Sequence, residues 1–136
     1  MDLGRFHNAQ AAIWPAPLEE LRAGRKASHW MWFVFPQLAS LGRSGTAKFY
    51  GLADLAEARA YLADPLLRER LLAATRAMLA QAGQPSEAIL GPVDALKLRS
   101  SMTLFERAGG EGHPEFAAVL AAFYDGQRCP VTQEAP

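Results

Sequence analysis

The chain has 136 residues, of which 50% are hydrophobic, and it carries 14 basic and 14 acidic side chains, so its formal net charge at pH 7 is zero. This length suits one domain with a substantial core, and the balanced charge argues against a nucleic-acid-binding scaffold, which usually has a basic excess. The single cysteine, Cys129, excludes an intrachain disulfide, and the longest apolar run is too short to span a membrane. The N-terminus also lacks the features of a signal peptide. We therefore predict a soluble, cytoplasmic protein with neither a membrane nor a nucleic-acid partner.

The beginning of the chain contains two helix signals separated by prolines. Alanine and leucine are abundant, which favours helices over strands. We predict a first helix over about residues 2–13, with Gln10 as the polar member of its apolar face, and a second over about residues 17–23. Trp14–Pro17 separates them, because proline cannot continue a helix. We interpret Gln10 either as a buried amide bonded to a neighbouring backbone group or as a ligand contact.

The aromatic segment, Ser28–Gln37 (SHWMWFVFPQ), holds two of the three tryptophans and three of the seven phenylalanines. A continuous apolar run of this length fits a buried helix or a buried strand. Ser28 suits a helix N-cap, and Pro36 requires any helix to end by about Phe35. We therefore predict a short, buried helical segment at the centre of the core.

The stretch Leu41–Lys48 is rich in glycine, and we predict a connecting loop there. It does not match a phosphate-binding loop, because only two residues separate Gly42 from Gly45 and the residue after Lys48 is a phenylalanine.

The second half of the chain is predicted to be a series of helices separated by glycine- and proline-containing breaks. Asp54 with Glu57 is a capping pair, and Asp64 followed by a proline opens the longest helix. The helices are expected over about residues 54–63, 64–82, 86–91, 92–107 and 114–124, followed by a loose tail over residues 127–136. The predicted fold is all-α: a single compact domain over residues 1–136, with about five to seven helices around the buried aromatic segment.

The helix predicted over residues 92–107 has apolar residues on most of its circumference. Two nearly opposite apolar faces are expected, one formed by Leu98, Met102 and Phe105 and the other by Val93, Leu96 and Leu104. Only a narrow arc with Ala95, Arg99 and Glu106 is left for solvent, so this helix should be largely buried.

A polar strip of Asp94, Lys97, Ser100 and Ser101 lies between these two faces. Buried charges are costly unless they are paired. One interpretation is an internal Asp94–Lys97 ion pair, with both serines bonded to backbone carbonyls. The other is that the strip borders a cleft in which Lys97 meets an anion. A Ser101 nucleophile activated by Lys97 has the residue types for acyl chemistry, but it also needs an oxyanion hole that the sequence does not reveal.

The three histidines, His7, His29 and His113, are far apart and show no metal-ligand spacing. We therefore expect no metal and no cofactor. His29 opens the aromatic segment close to Lys26, and we interpret it either as a satisfied core residue or as a base at a site.

Six motifs make the chain resemble domain-of-unknown-function family 1810. These motifs are Phe6–Gln10, Gly24–Gln37, Leu41–Ser44, Glu57–Pro65, Ile89–Gly91 and Asp94–Phe105. The resemblance covers nearly the whole chain, and it implies a small, mainly helical, bacterial-type fold with no established activity. The name calpastatin, given to some members, does not suit a compact chain without repeats.

The family's pattern concentrates on polar residues that the helix patterns also place inward. With the two tryptophans of the aromatic segment, the expected ligand pocket comprises Gln10, Lys26, His29, Trp30, Trp32, Gln37, Asp94, Lys97 and Ser101. Large rings beside cationic groups suit a small planar or anionic, nucleotide-like ligand in an aromatic-walled cleft, whether the protein binds the ligand or acts on it. The alternatives are a non-enzymatic module that docks a protein partner through the aromatic segment, and an unusual core without a site.

Overall fold

Helices provide the regular secondary structure of the computed structural model, which describes residues 2–136. Across that range the α-helices are α1 (Gly4–Ile13), α2 (Ala16–Arg22), α3 (Met31–Val34), α4 (Gly45–Phe49), α5 (Leu55–Ala63), α6 (Pro65–Leu79), α7 (Ser86–Leu90), α8 (Pro92–Gly109), α9 (Glu115–Tyr124) and α10 (Pro130–Glu134). The all-α, single-domain prediction is confirmed. There are more helices than the five to seven expected, since α4 and α10 lie where a loop and a loose tail were predicted, and α3 and α7 are separate helices of four and five residues. No helix within residues 2–136 is both long enough and apolar enough to cross a membrane.

Side-chain caps determine where α5 and α6 begin. The carboxylate of Asp54 accepts a hydrogen bond from the backbone N–H of Glu57 at 2.9 Å. That of Asp64 accepts two, from the N–H groups of Leu66 and Leu67, and Pro65 occupies the first turn of α6. These bonds satisfy N–H groups that have no partner inside the helix, so the capping signals in the sequence predict both helix starts.

The glycine-rich stretch Leu41–Lys48 is not the loop that we predicted. A 3-10 helix spans Ala39–Leu41, and α4 follows, with the Ser44 hydroxyl accepting from the N–H of Ala47 at 3.1 Å. Single-turn helices leave little periodic signal, and here a serine cap compensates for the low helix propensity of Gly45.

The C-terminal segment 127–136, expected as a loose tail, contains α10, which packs against α8. The Arg107 guanidinium donates to the carbonyls of Thr132 and Ala135, at 2.8 and 2.6 Å. A cation from α8 thus binds the last carbonyls of α10, an interaction between distant parts of the chain that local sequence does not reveal.

The core is crossed by a row of aromatic rings. Phe6 of α1 meets Tyr61 of α5 edge-on at 5.1 Å between ring centroids. Tyr61 lies 5.3 Å from Phe105 of α8, and Phe105 lies 5.8 Å from Phe116 of α9. All four side chains are buried, so the row joins four helices into one core.

Most of the aromatic segment is buried, namely Trp30, Met31 and residues 33–36, and it contains a short helix as predicted. This helix, α3, begins at Met31 and has Trp30 at its N-cap. Ser28 does not cap it, since its hydroxyl donates to the Glu20 carboxylate at 2.5 Å instead.

The exposed side of α8 differs from the one predicted. Leu98, Met102, Leu104 and Phe105 are buried as expected, but Val93 and Leu96 are 66% and 61% exposed, while Ala95 is buried. The reason is that α9 packs against α8 on the side of Ala95, where the Tyr124 hydroxyl donates to the Ala95 carbonyl at 2.5 Å. The side that carries Val93 and Leu96 faces water instead.

Candidate functional site

Asp94, in the first turn of α8, joins two lysines from different parts of the chain. Lys26 Nζ lies 3.1 Å from Asp94 Oδ2, and Lys97 Nζ lies 3.6 Å from Oδ1. The three side chains are between 12% and 24% exposed. Their mutual attraction offsets the cost of this partial burial, and two ammonium groups on one carboxylate leave one net positive charge.

Each of these lysines also faces an indole ring. Lys26 Nζ lies 5.2 Å from the centroid of Trp30, and Lys97 Nζ lies 5.6 Å from that of Trp32. Both distances are within the range of cation–π attraction. The two tryptophans therefore hold the lysines in place and are themselves partly covered by them.

Glu20 fixes the turn that brings Lys26 and Trp30 to this cluster. Its carboxylate accepts hydrogen bonds from the N–H groups of Ala27 and Ser28, from the Ser28 hydroxyl and from the Trp30 indole, at 2.5–2.9 Å. Burial acts to raise the pKa of Glu20, but these four bonds favour the ionised form and lower it to about 2. Sequence reasoning missed Glu20, because nothing in its local pattern distinguishes it from the exposed Glu19.

A cleft of about 620 Å³ opens beside the cluster, between α8 and the segment 37–47. This volume lies in the range of small-molecule sites. The α8 wall consists of Val93, Leu96, Lys97 and Ser100, and the facing wall of Gln37, Leu41, Gly42, Arg43, Ser44 and Ala47. Lys97 therefore belongs both to the charged cluster and to the cleft.

Close backbone packing shapes the wall that faces α8. The N–H of Ala39 donates to the Leu52 carbonyl at 2.8 Å, and the N–H of Leu52 donates to the Gln37 carbonyl at 2.9 Å. Gly51 lies so close to Ala39 that a Cβ at position 51 would be 2.3 Å from the Ala39 Cα, and a Cβ at Gly42 would be 2.9 Å from the Ala47 carbonyl carbon. Only glycine fits at these two positions, which fold the segment so that Gln37 faces α8.

Six of the nine expected pocket residues meet around Asp94. They are Lys26, His29, Trp30, Trp32, Asp94 and Lys97. His29 is exposed, with its ring 6.4 Å from that of Trp32, so it is not a core histidine. Gln37 lies on the cleft wall, but Trp30 and Trp32 do not, and within residues 2–136 the lining carries no aromatic ring. The cleft is therefore not the aromatic-walled pocket that we expected.

Gln10 and Ser101 lie in the core, away from this cleft. The Gln10 amide is buried, donates to the Phe33 carbonyl at 2.7 Å and contacts the Tyr61 hydroxyl at 3.1 Å. Of the two interpretations of Gln10, the structure therefore agrees with the buried amide bonded to a backbone group. Ser101 is also fully buried, so it is not accessible to a substrate in the cleft as a nucleophile.

Several cleft residues were not among the predicted site residues. Arg43 and Ser44 were assigned to a loop, Val93 and Leu96 to the core, and Ser100 only to the polar strip. Ser44 could have been included, because it belongs to the motif Leu41–Ser44, which is one of those shared with the family. Within residues 2–136, no group of three or more histidine, cysteine, aspartate or glutamate side chains is placed to hold a metal ion.

Comparison with known proteins gives a family and a fold. The profile of the family described as "Protein of unknown function (DUF1810)" matches residues 1–135. Among solved structures, the conserved hypothetical protein Rv1873 from Mycobacterium tuberculosis is similar, with 51% sequence identity and a TM-score of 0.90 over 93% of this chain and 90% of that one. The comparison with curated proteins finds no match.

Proposed function

The chain belongs to the DUF1810 family, whose description assigns no activity, and we propose from the geometry of the site that its cleft binds a small anionic ligand through Lys97. The observation that carries the proposal is the position of Lys97. Its side chain lines the cleft, while Asp94 and Trp32 hold its ammonium group at 3.6 and 5.6 Å. A cation held in this way needs little reorganisation to meet an anion.

The charges around the cleft favour an anion. The lining contains two cationic side chains, Lys97 on α8 and Arg43 on the facing wall, and within residues 2–136 it contains no carboxylate. Asp94 is shared between Lys97 and Lys26, so it neutralises Lys97 only in part. At 24% exposure, Lys97 is also screened less by water than a surface lysine would be. A carboxylate or phosphate between Lys97 and Arg43 would form charge-assisted hydrogen bonds.

The geometry supports binding better than catalysis. The Ser100 hydroxyl donates to the Leu96 carbonyl at 3.2 Å, as an ordinary helix serine does. Within residues 2–136, no histidine or carboxylate lines the cleft beside it to accept a proton. Ser100 and Ser44 therefore have no histidine or carboxylate base on the lining, and the ammonium of Lys97 is paired with Asp94 at 3.6 Å. The two serines serve as hydrogen-bonding groups for a ligand.

Docking of a protein partner through the aromatic segment is less favoured. Trp30, Met31, Val34 and Phe35 are all nearly fully buried, and Trp32 is only partly exposed beneath Lys97. A docking patch needs contiguous apolar surface, which this segment does not offer.

The test is a titration of wild type and the Lys97→Gln variant. Thermal-shift screening against nucleotides, sugar phosphates and acyl compounds selects ligands, since a ligand at a hundred times its Kd stabilises the protein by about 2.7 kcal/mol. Calorimetry is then expected to show binding at least about tenfold weaker for Lys97→Gln. The matched control is Arg22→Gln, which removes one exposed positive charge outside the cleft.

Two results would contradict the proposal. One is that no anion binds to the wild type. The other is that Lys97→Gln, with its melting temperature preserved, binds the ligand as tightly as Arg22→Gln does.

A further inference from the structure

We propose that the anion bound by the cleft carries an aliphatic chain, so that the ligand class is an alkyl chain with one acidic head group, a carboxylate or a phosphate. The head group lies between Lys97 and Arg43, and the chain lies on Val93 and Leu96. The inference deepens the proposed function and rests on it, because it assumes that Lys97 binds the head group.

The first observation is the exposure of two large aliphatic side chains on one turn of α8. Val93 and Leu96 are 66% and 61% exposed, and both line the cleft. A single exposed apolar residue is ordinary on a protein surface, but these two are adjacent and face Leu41 and Ala47 across the cleft. A continuous apolar surface inside a concave site is typical of a ligand contact.

The second observation is that the apolar lining is aliphatic. Leu41, Ala47, Val93 and Leu96 provide it, and among residues 2–136 no ring joins them. The indole of Trp32 lies nearby, but the Lys97 ammonium is 5.6 Å from its centroid and occupies one of its faces. A nucleobase therefore finds no stacking partner in the cleft, whereas a flexible hydrocarbon chain makes good contacts with such walls.

The third observation is the order of the lining residues along α8. Leu96 and Lys97 both lie three or four residues from Val93 on one side and from Ser100 on the other, so the four residues share one face of the helix. Exposure falls along this face from the well-exposed Val93 to the buried Ser100. Lys97 is about 6 Å along the helix from Val93. A head group at Lys97 thus leaves room for a chain of a few carbons toward the open end of the cleft.

The experiment compares acids with and without a chain. Calorimetric titrations use hexyl phosphate against inorganic phosphate, and hexanoate against acetate. We expect each hexyl acid to bind at least about tenfold more tightly than its short counterpart, because the chain covers the exposed surface of Val93 and Leu96. Hexanol, which has no charge, is expected not to bind measurably.

Two variants test separately where the alkyl chain and the acidic head group of the ligand bind. Leu96→Ser is expected to weaken hexyl phosphate about tenfold and to leave inorganic phosphate unchanged. Lys97→Gln is expected to weaken both. The matched control is Leu66→Ser, since Leu66 is 39% exposed on α6 and does not line the cleft. Both leucines are exposed, so neither substitution should prevent folding, and melting temperatures check this.

The outcomes separate this inference from the proposed function. If hexyl phosphate binds no more tightly than inorganic phosphate, if Leu96→Ser changes neither affinity, or if adenosine monophosphate binds more tightly than hexyl phosphate, the aliphatic ligand class is overturned. The proposed function still stands in those cases, provided that Lys97→Gln weakens the anion that does bind. If no anion binds, or if binding does not depend on Lys97, both are overturned.

Discussion

Replacing Glu20 with glutamine tests whether one carboxylate holds the turn that leads into the aromatic segment. Glu20 Oε1 accepts from the N–H groups of Ala27 and Ser28 and from the Trp30 indole, and Oε2 accepts from the Ser28 hydroxyl. A glutamine amide oxygen can still accept the first three bonds, but as a neutral acceptor. The substitution therefore removes charge and leaves the shape of the side chain intact.

The size of the effect follows from the pKa of Glu20. A shift from the ordinary 4.5 to about 2 corresponds to about 3 kcal/mol without screening. Glu20 is partly exposed, so solvent reduces this figure to about 1–2 kcal/mol, which is the loss of stability expected for Glu20→Gln at neutral pH.

The pH dependence has a definite sign. The folded-state pKa of Glu20 is below the unfolded-state value, so its contribution to stability is fully present above about 4.5 and is lost as the pH falls through about 2. Less than half of the contribution remains at about pH 3. Urea denaturation of wild type and Glu20→Gln at about pH 7 and about pH 3 should therefore show the difference in unfolding free energy shrinking by more than half.

The matched control is Glu19→Gln, on the exposed neighbouring position of the same helix. It is expected to change stability by less than about 0.5 kcal/mol at either pH. Other carboxylates titrate in the same range, so the comparison must be made between variants. A difference between wild type and Glu20→Gln that is the same at both pH values would refute the role assigned to this carboxylate.

Two further substitutions test the framework around the site. Gln10→Ala should lower the free energy of unfolding in urea by about 2–4 kcal/mol, because it leaves the Phe33 carbonyl unpaired and opens a cavity. Ligand binding in the cleft should stay unchanged, and altered binding would show that Gln10 contributes to the ligand site. Asp64→Ala should cost about 1–2 kcal/mol, because it removes the cap of α6 and the partner of His7 at 2.7 Å. Burial acts to raise the pKa of Asp64, but hydrogen bonds from the Leu67 N–H and from His7 lower it below 3.8. The loss of stability caused by Asp64→Ala, measured by thermal unfolding, should therefore shrink as the pH falls below that value. A loss of stability that does not change with pH would contradict the role of this carboxylate as a cap.

The sequence predicts the long helices well, because the chemistry that starts them is local. Asp54 and Asp64 lie next to the N–H groups that they cap, so their roles can be read within a few residues. The single-turn helix α10 is different, since it is held by Arg107, which is distant in sequence. A contact of that kind leaves no periodic pattern in the chain.

The sequence predicted which residues meet around Asp94, but it predicted a specific pair of contacting residues only where the two are close in sequence. Asp94 and Lys97 are three residues apart, so their ion pair was among the interpretations of the polar strip. The pairing of the same carboxylate with Lys26 depends on how α8 packs against the turn that Glu20 holds. Arg43 likewise reaches the cleft because Gly51 and Ala39 pack closely, which no helix pattern describes.

The most informative error concerns α8. Helical periodicity treats every large apolar side chain as buried, so it assigned Val93 and Leu96 to the core and Ala95 to solvent. The structure reverses this, because α9 packs on the side of Ala95, where the Tyr124 hydroxyl donates to the Ala95 carbonyl. Val93 and Leu96 therefore face water in the wall of the cleft. Sequence patterns are expected to predict burial wrongly at residues that serve function. Here the wrongly predicted residues are Val93 and Leu96, on which we place the aliphatic chain of the ligand.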